Sequence, residues 1–304
     1  MRLRSTPDGL IAHEGDRWVR LPGETDLLAF LAGDARARPT GDEADPAAAV
    51  LPFKPRSLRA FMLWESHVIQ SSRMLVKHFF PKPAWLAVSA FEKTGRTFPK
   101  LKPNQRFWDA PTFYVANHTM VLADGQEMWW PSHTRFLDFE LELACVLSAP
   151  LVDATPEEAV AAIGGWFVLN DWTARDVQAD DVRHNVFGPV IKSKSFANSI
   201  GSDVVTADAF DWTRATGRVR VDGEVWCEGT TADPAHDIGA MLAYASQGER
   251  LDAGDVISTG TMPGCCGLEL ERWIQPGQTV ELEIDGIGTL ANRVSAGARP
   301  ATAI

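Results

Sequence analysis

Apolar and acidic residues alternate along the stretch 136–147, whose sequence is FLDFELELACVL. Because residues two apart on a strand point to the same face, the pattern predicts one strand with Asp138, Glu140 and Glu142 on one side. Carboxylates about 7 Å apart on one face repel each other, and burying them unpaired costs several kcal/mol. The acids of this strand therefore either face water or surround a cation.

Short apolar runs elsewhere in the chain predict further strands and hairpins. The Asp-Gly dipeptides at 222–223 and 285–286 each interrupt such a run and are typical of hairpin turns. Another hairpin is expected around residues 14–16, within LIAHEGDRWVRL. The remaining predicted strands lie within 112–122, 166–174, 217–229, 255–261 and 279–294.

Helices are predicted at three places between these strands. The longest covers 58–80, because apolar residues recur there at spacings of three and four and Pro81 and Pro83 follow. Shorter helices are expected over 155–163 and 236–248. Since strands and helices do not alternate regularly, we predict a mixed α+β, β-rich fold rather than a doubly wound sheet.

A change in composition divides the chain into two parts. Residues 33–55 are rich in Pro, Gly, Ala and acids and lack periodicity, which indicates a linker across the surface. We therefore predict a small N-terminal module with its linker over 1–55 and a main domain over 56–304. The apolar content of 45% is sufficient for a substantial core.

Charge and targeting signals limit the partners of the protein. The formal net charge of −11 argues against a phosphate-binding surface, so we expect no nucleic-acid partner. The N-terminal stretch MRLRSTPDGL lacks the apolar core of an export signal, and we find no run of 18 apolar residues. We therefore expect neither export nor a membrane span, and a cytoplasmic location.

The types of ligand in the sequence favour one class of metal. The four cysteines form no CxxC pair, so we interpret Cys145, Cys227, Cys265 and Cys266 as reduced thiols that pack in the protein. Carboxylate oxygens without nearby His or Cys favour Mg²⁺, Mn²⁺ or Ca²⁺ over zinc. From the strand alone, a half-exposed acidic face in water remains the alternative to a metal site.

Three later segments extend the pattern begun by DFELE at 138–142. They are GGWFVLNDWTARDVQ at 164–178, FGPVIKSKSF at 187–196 and GDVISTGTMPGCCGLELE at 254–271. In this order and spacing the segments resemble the fumarylacetoacetate hydrolase family over roughly residues 57–295. The resemblance implies a catalytic domain built as a β-roll of mixed strands, usually a homodimer, with the active site at the open end of the roll.

The resemblance also implies a divalent cation, with Mg²⁺ first and Mn²⁺ or Ca²⁺ as alternatives. Its ligands would be Glu140, Glu142 and Asp171, with Asp138 in a supporting role. Some members have an additional metal-binding Asp at the position of Ala60, which this chain lacks. We expect binding through the three carboxylates, with water in the empty place.

Catalytic roles are carried over from the family to His67 and Glu269. In one branch of the family a Glu follows the His by three residues, but this chain has Gln70 there, so the resemblance pairs His67 with Glu269. Oxyanion donors would be Arg175, Gln178 and Lys194, and Lys192 competes with Lys194 because KSKSF offers two registers.

Two further residues are expected to contact the substrate. Tyr114 matches a substrate-pocket position, although an aromatic core residue is the alternative. Thr261 can bind a substrate carboxylate, with a plain turn as the alternative. The role of Asn198 is open. The acyl group of the substrate would be read by residues 60–85 and by a loop over 179–187.

The predicted function is hydrolysis of a carbon–carbon bond in a small oxo acid, a 1,3-dioxo or acylpyruvate-type compound such as fumarylacetoacetate or fumarylpyruvate, as in aromatic catabolism (EC 3.7.1). Water would be activated by His67 and Glu269. Alternatives within the family are dehydration of 2-keto-3-deoxy sugar acids and isomerisation or decarboxylation of 2-oxo acids. A non-catalytic β-rich binding protein is the alternative from another class.

Overall fold

An eleven-stranded mixed sheet forms the centre of the computed structural model, which describes residues 1–22, 26–33, 41–184 and 192–297. Its strands are β1 Arg2–Thr6, β2 Gly9–Glu14, β3 Arg17–Arg20, β4 Leu58–Phe61, β5 Phe113–Val115, β6 Val121–Ala123, β9 Glu140–Leu147, β10 Ile163–Asn170, β12 Asn198–Ile200, β13 Val204–Thr206 and β16 Val256–Cys266. The order is β3-β2-β1-β13-β10-β9-β16-β4-β5, and β12 joins β10 to β6.

A second sheet of five strands packs against the first. Its strands are β7 Met128–Trp129, β14 Thr216–Val221, β15 Glu224–Thr230, β17 Thr279–Ile284 and β18 Gly288–Ser295, in the order β15-β14-β17-β18-β7. The two predicted Asp-Gly hairpins are confirmed, because β14 pairs with β15 and β17 with β18 across these turns. Alternate residues of β14 and β17 are buried against the main core.

Every residue of the neighbouring strands β9 and β10 is buried. The two strands are covered on both faces, which explains why their sequences are apolar apart from Glu140, Glu142 and Asn170. The strand predicted over 136–147 is split, since β8 Leu137–Asp138 pairs with β11 Thr173–Ala174 in a separate small sheet. Side chains bind the backbone at the break: Asp138 accepts the N–H of Phe139, and Asn170 accepts that of Glu140.

The helices surround the two sheets. They are α1 Leu27–Leu31, α2 Glu65–Phe79, α3 Lys82–Glu92, α4 Gln105–Asp109, α5 Pro156–Ala161, α6 Arg175–His184, α7 Ile238–Ala245 and α8 Gly267–Leu270. Thr155 opens α5 with a capping box, and Asp237 caps α7, so both shorter predicted helices are confirmed with slightly different ends. Among the helices of the described ranges, none is long and apolar enough to cross a membrane.

Two predicted boundaries are wrong. The helix expected from residue 58 begins only at Glu65, because Leu58–Phe61 pairs as β4 between β16 and β5 and is buried along its whole length. The loop expected over 179–187 is helical as far as His184. No Gly or Pro interrupts that segment, and His184 contacts Asp180 one turn earlier at 3.0 Å. Residues 185–187 lie outside the described residues.

The N-terminal strands extend the large sheet. The hairpin predicted around residues 14–16 is confirmed by the pairing of β2 with β3, and β1 pairs with β13. Leu3 and Val19 are fully buried in this region. The division of the chain at residue 55 stays a prediction, whereas the mixed, strand-rich class is confirmed.

Candidate active site

Three acids converge where β9 begins and β10 ends. The two strands run antiparallel with Leu169 opposite Glu142, so the start of one strand lies beside the end of the other. Glu140 and Glu142 project from β9, and Asp171 follows β10 directly. One carboxylate oxygen of each acid lies within 4.8 Å of the others, and all three residues are buried. These three oxygens are a set that could hold a divalent cation.

Two buried cations contact the same acids. Lys194 Nζ lies 2.5 Å from Oε2 of Glu140 and 2.6 Å from Oδ2 of Asp171, and it donates to Thr173 Oγ1 at 2.9 Å. Arg175 Nη2 lies 2.7 Å from Oε1 of Glu140. Lys192 and Lys194 were both candidates for this position. Lys194 is the lysine that belongs to the network, and it is 5% exposed.

Lys192 lies on the surface, and Gln178 lines the cavity beside the network. Lys192 is exposed and does not line the described site. Gln178 Oε1 accepts a hydrogen bond from Arg175 Nη1 at 2.9 Å. The structure therefore brings Arg175, Gln178 and Lys194 together beside the three acids.

Asp138 contacts Arg175 and the backbone of α8. Its Oδ2 accepts Nε of Arg175 at 2.7 Å and the N–H of Leu268 at 2.9 Å, while Oδ1 accepts the N–H of Gly267 at 2.8 Å. Asp138 thus attaches the first turn of α8 to the arginine. This position suits a supporting residue rather than a metal ligand.

The surroundings shift the pKa values of the three acids differently. Burial would raise the pKa of Glu140, but Lys194 and Arg175 outweigh burial and lower it to about 2. Burial, with the charges of Asp171 and Glu140, holds the pKa of Glu142 well above its ordinary value. Burial also raises the pKa of Asp171, against the opposing effect of Lys194. A cation in this position would favour the ionised forms.

His67 and Glu269 meet from distant parts of the chain. Nδ1 of His67, on the first turn of α2, lies 2.9 Å from Oε2 of Glu269 on α8, 202 residues away. The same Oε2 accepts the N–H of Gly264 at 3.2 Å and the thiol of Cys266 at 3.3 Å. Three donors therefore orient one carboxylate oxygen. Gln70, which replaces the Glu of the other branch, donates to the backbone oxygen of Glu269 at 3.4 Å and accepts a hydrogen bond from Arg73.

Hydroxyl groups surround the acids. Tyr114 donates to Oδ2 of Asp171, and Ser258 donates to Oε2 of Glu142. Thr261 Oγ1 lies 3.4 Å from Oε1 of Glu142. Both residues expected to contact substrate, Tyr114 and Thr261, thus line the same cavity as the acids.

Sequence reasoning missed Ser258, Thr173 and Cys266 as neighbours of the site. The sequence signal for Ser258 was its position in the STGT motif. The alternation of side chains along a predicted strand would not have identified Glu142 as its partner. Asn198 is fully buried, and neither polar atom of its amide has a partner among the described residues. It does not line the cavity.

The side chains of the network line a cavity of about 300 Å³. His67 and Ala60 line the same cavity. Ala60 lies on β4, opposite Ser258 of β16 and Tyr114 of β5. The position where the resemblance implied an additional metal-binding Asp is therefore bordered by two hydroxyl groups that bind the acids.

Two observations fit a divalent cation to the acid cluster. Within the described part of the chain, Oδ1 of Asp171 is buried and has no hydrogen-bond partner, although a buried carboxylate oxygen needs one. In addition, four buried acids face two buried cations in this network. With all four acids ionised, two negative charges would be uncompensated, and a divalent cation would balance them.

Comparisons with known proteins find a matching family model and several similar proteins. The family model for the fumarylacetoacetate (FAA) hydrolase C-terminal region matches residues 88–295. Oxaloacetate tautomerase YcgM of Escherichia coli is 34% identical over 181 residues, which are 59% of this chain and 79% of that protein. The 4-hydroxyphenylacetate degradation bifunctional isomerase/decarboxylase of E. coli is 28% identical over 61% of this chain, and the match spans only 42% of that protein.

A solved structure supports the fold. The structure of a fumarylacetoacetate hydrolase from psychrophilic Exiguobacterium antarcticum superposes with a TM-score of 0.69 at 22% identity, over 97% of this chain and 98% of that chain. At this level of identity, the likeness shows the fold alone.

Proposed function

The chain belongs to the fumarylacetoacetate hydrolase family, and on that premise we propose that it hydrolyses a carbon–carbon bond of an acylpyruvate-type acid with a bound divalent cation. The observation that carries this proposal is the 2.9 Å contact between His67 Nδ1 and Glu269 Oε2 beside the acid cluster. Hydrolysis needs a base that takes a proton from water, and a carboxylate-bound imidazole has this chemistry.

The cation would be held by Glu140, Glu142 and Asp171. These hard oxygen ligands suit Mg²⁺ best, with Mn²⁺ as the alternative. When bound, the cation supplies a Lewis acid that polarises the oxygens of the 2-oxo acid. The remaining steps belong to side chains of this protein.

His67 is prepared to accept a proton. The Glu269 carboxylate can only accept hydrogen bonds, so Nδ1 of His67 carries the hydrogen of their contact. The other ring nitrogen, Nε2, then offers its lone pair to water. Gly264 and Cys266 hold the carboxylate in place, which fixes the orientation of the imidazole.

The reaction balances with water as the co-substrate. The water oxygen forms a bond to the distal carbonyl carbon as His67 takes its proton, and the adjacent carbon–carbon bond then breaks. The electron pair leaves on the pyruvate part, which takes a proton and becomes pyruvate, while the acyl part becomes a carboxylic acid. Arg175, Gln178 and Lys194 would donate to the oxygens that gain charge.

A second candidate is tautomerisation of a 2-oxo acid, which the similarity to oxaloacetate tautomerase YcgM favours. This reaction moves a proton between carbon and oxygen and needs no attacking water. The same acid cluster would serve it, whereas the contact between His67 and Glu269 would have no part in water activation. The two candidates therefore differ in whether the carbon–carbon bond breaks and oxygen from labelled water enters the carboxylate of the released acid.

The test is an assay of the full chain with Mg²⁺ or Mn²⁺ on acylpyruvates, oxaloacetate and a 2-keto-3-deoxy sugar acid, with product analysis in H₂¹⁸O. We expect cleavage of an acylpyruvate, with ¹⁸O in the released acid. His67→Ala should lower kcat by roughly 10²-fold or more, with metal binding retained. His78→Ala is the control, because His78 lies on the same helix and contacts the surface residue Glu271. Turnover of oxaloacetate alone, or cleavage that ignores His67, would contradict the hydrolase proposal.

A further inference from the structure

The residues that line the cavity restrict which acyl groups the substrate can carry. We infer that this group is uncharged and mainly apolar, without a second carboxylate; the inference rests on the proposed function. It follows from the residues that line the rest of the cavity and from the contacts that the nearby cations already make.

Outside the acid cluster and its partners, the cavity has a wall built mostly from carbon. It comes from α2 and from the strands and helix around it: Val68, Leu75, Phe61, Phe113 and Val182 line it, with Met62 at its edge. Its polar groups are neutral hydroxyls on Ser71, Ser72 and Thr112. The oxo-acid end of a substrate faces the charged cluster, so the acyl end faces this wall.

The cations of the cavity are already engaged with acids. Among the described lining residues, Arg175 and Lys194 are the basic ones besides His67. Arg175 contacts Asp138 and Glu140, each at 2.7 Å, and Lys194 contacts Glu140 and Asp171 at 2.5 and 2.6 Å. Both belong to the end that binds the oxo acid, so neither can neutralise a carboxylate at the other end.

The other Arg and Lys side chains of α2 and α6 contact groups outside this network. On α2, Arg73 contacts Glu92 at 2.8 Å, and Lys77 contacts Glu271 at 2.5 Å. On α6, the guanidinium of Arg183 packs over the Phe80 ring at 5.6 Å. The sequence of residues 185–191, NVFGPVI, contains no basic residue.

An acyl group with a carboxylate would therefore be buried against carbon without a cation. Burying an unpaired charge is costly, whereas an alkyl, alkenyl or aryl group gains from leaving water for the same wall. The hydroxyls of Ser71 and Ser72 can bind a neutral oxygen but cannot offset a full charge. The favoured substrates are acylpyruvates with neutral acyl groups, rather than the fumaryl compounds.

A matched pair of substrates tests this inference. trans-2-Butenoylpyruvate has a methyl group where fumarylpyruvate has its distal carboxylate, and the rest of the two molecules is the same. With the Mg²⁺-loaded full chain, we expect kcat/KM to be at least tenfold higher for the butenoyl compound. Equal values, or a preference for fumarylpyruvate, would overturn the inference.

A variant pair places a charge in the wall. Ser72 is half-buried and lines the cavity. Ser72→Arg should shift the kcat/KM ratio at least tenfold towards fumarylpyruvate, and the neutral control Ser72→Gln should leave it within about threefold. If both variants shift the ratio equally, charge at the wall does not decide specificity and the inference is wrong. If Ser72→Arg does not fold, the wild-type ratio decides.

Failure of the proposed function can be separated from failure of this inference. If neither compound is cleaved, the full panel of acylpyruvates decides the hydrolase proposal, and calorimetric binding of the same two compounds to the Mg²⁺-loaded protein decides the acyl preference. Tighter binding of the butenoyl compound supports an uncharged acyl group. Equal or tighter binding of fumarylpyruvate refutes it.

Discussion

Glu140 and Glu142 lie two residues apart on β9, yet their surroundings shift the two carboxyl pKa values in opposite directions. Glu140 contacts two cations, whereas the partners of Glu142 are the neutral hydroxyls of Ser258 and Thr261. A hydroxyl offsets a buried negative charge less than a cation does. Glu142 is therefore the acid whose burial costs the most before a metal binds.

Glu142→Gln should stabilise the metal-free protein and abolish its response to metal. The neutral amide removes the repulsion with Asp171 and Glu140, so we expect a gain of about 1–2 kcal/mol, or roughly 2–6 °C in Tm. Thermal unfolding with EDTA and with Mg²⁺ measures both effects. Asp208→Asn, a change at a surface acid, is the control. A lower Tm in EDTA would contradict this account of the site.

Ala60→Asp should strengthen metal binding. Ala60 is 2% exposed and borders the cavity beside the acids, so a carboxylate there adds a ligand of the required type. We expect about tenfold tighter Mg²⁺ binding by calorimetry, a change of about 1.4 kcal/mol. The metal-free variant should be less stable because its acids repel more strongly. Ala60→Asn controls for volume, and equal Mg²⁺ affinity in the two variants would refute the prediction.

Thiol labelling should distinguish the four cysteines. Burial raises the pKa of Cys145 to about 12, and burial raises the pKa of Cys266 as well, so both stay protonated and unreactive at pH 8. Cys227 is half-buried. With iodoacetamide and mass spectrometry, we expect labelling of Cys227 in the native protein and of all four thiols in denaturant. Labelling of native Cys145 would show that the core opens.

Strand β16 shows how one element assembles a site. Its pairing with β9 shifts register between Ser258 and Thr261, and again between Thr261 and Cys266. The first irregularity lets Ser258 and Thr261 both approach Glu142, and the second brings the strand to the start of α8. Irregularities of this kind re-aim side chains and are common next to active sites.

Gly260, inside the first irregularity, should not tolerate a side chain. Its φ is +87°, and a Cβ there would lie 2.2 Å from the carbonyl oxygen of Phe61. Gly277 has φ +94° with open space around it, so Gly277→Ala should cost only the backbone strain, about 1–3 kcal/mol. Gly260→Ala should cost roughly 2 kcal/mol more, because β4 must move. Urea denaturation of the two variants measures the difference, and equal losses would contradict the steric argument.

At the scale of the whole molecule, the site depends on long-range packing. His67 and Glu269 are 202 residues apart, and the N-terminal strands join the sheet that carries the acids. Leu10 of β2 packs in one cluster with Ala144 of β9 and Phe167 of β10. The N-terminal strands and the site strands should therefore unfold together.

Calorimetry should show one unfolding transition. Leu10→Ala should lower the stability of that transition by about 2–5 kcal/mol, because the residue is 2% exposed. Leu86→Ala should change it little, since Leu86 is 64% exposed. Two transitions, with only one sensitive to Leu10, would instead support an independent N-terminal module. Scans at two protein concentrations test the expected homodimer.

Local patterns in the sequence determined much of the secondary structure. The alternation of acids, the Asp-Gly turns and the capping residues predicted strands, hairpins and helices, because each depends on neighbours a few residues away. The same local view placed the start of α2 too early and joined β8 to β9. Periodicity alone could not show that Leu58–Phe61 pairs with β16, or that side chains bind the backbone at Phe139.

The tertiary structure decided which residues meet. Family motifs named the acids, His67 and Glu269, but strand order and register bring them into one cavity. The structure also selects Lys194 over Lys192 for the network and turns Asp138 towards α8. The roles of these residues stay predictions. The physical reason is that a sequence records spacing along the chain, whereas the charges that balance one another come from elements far apart in it.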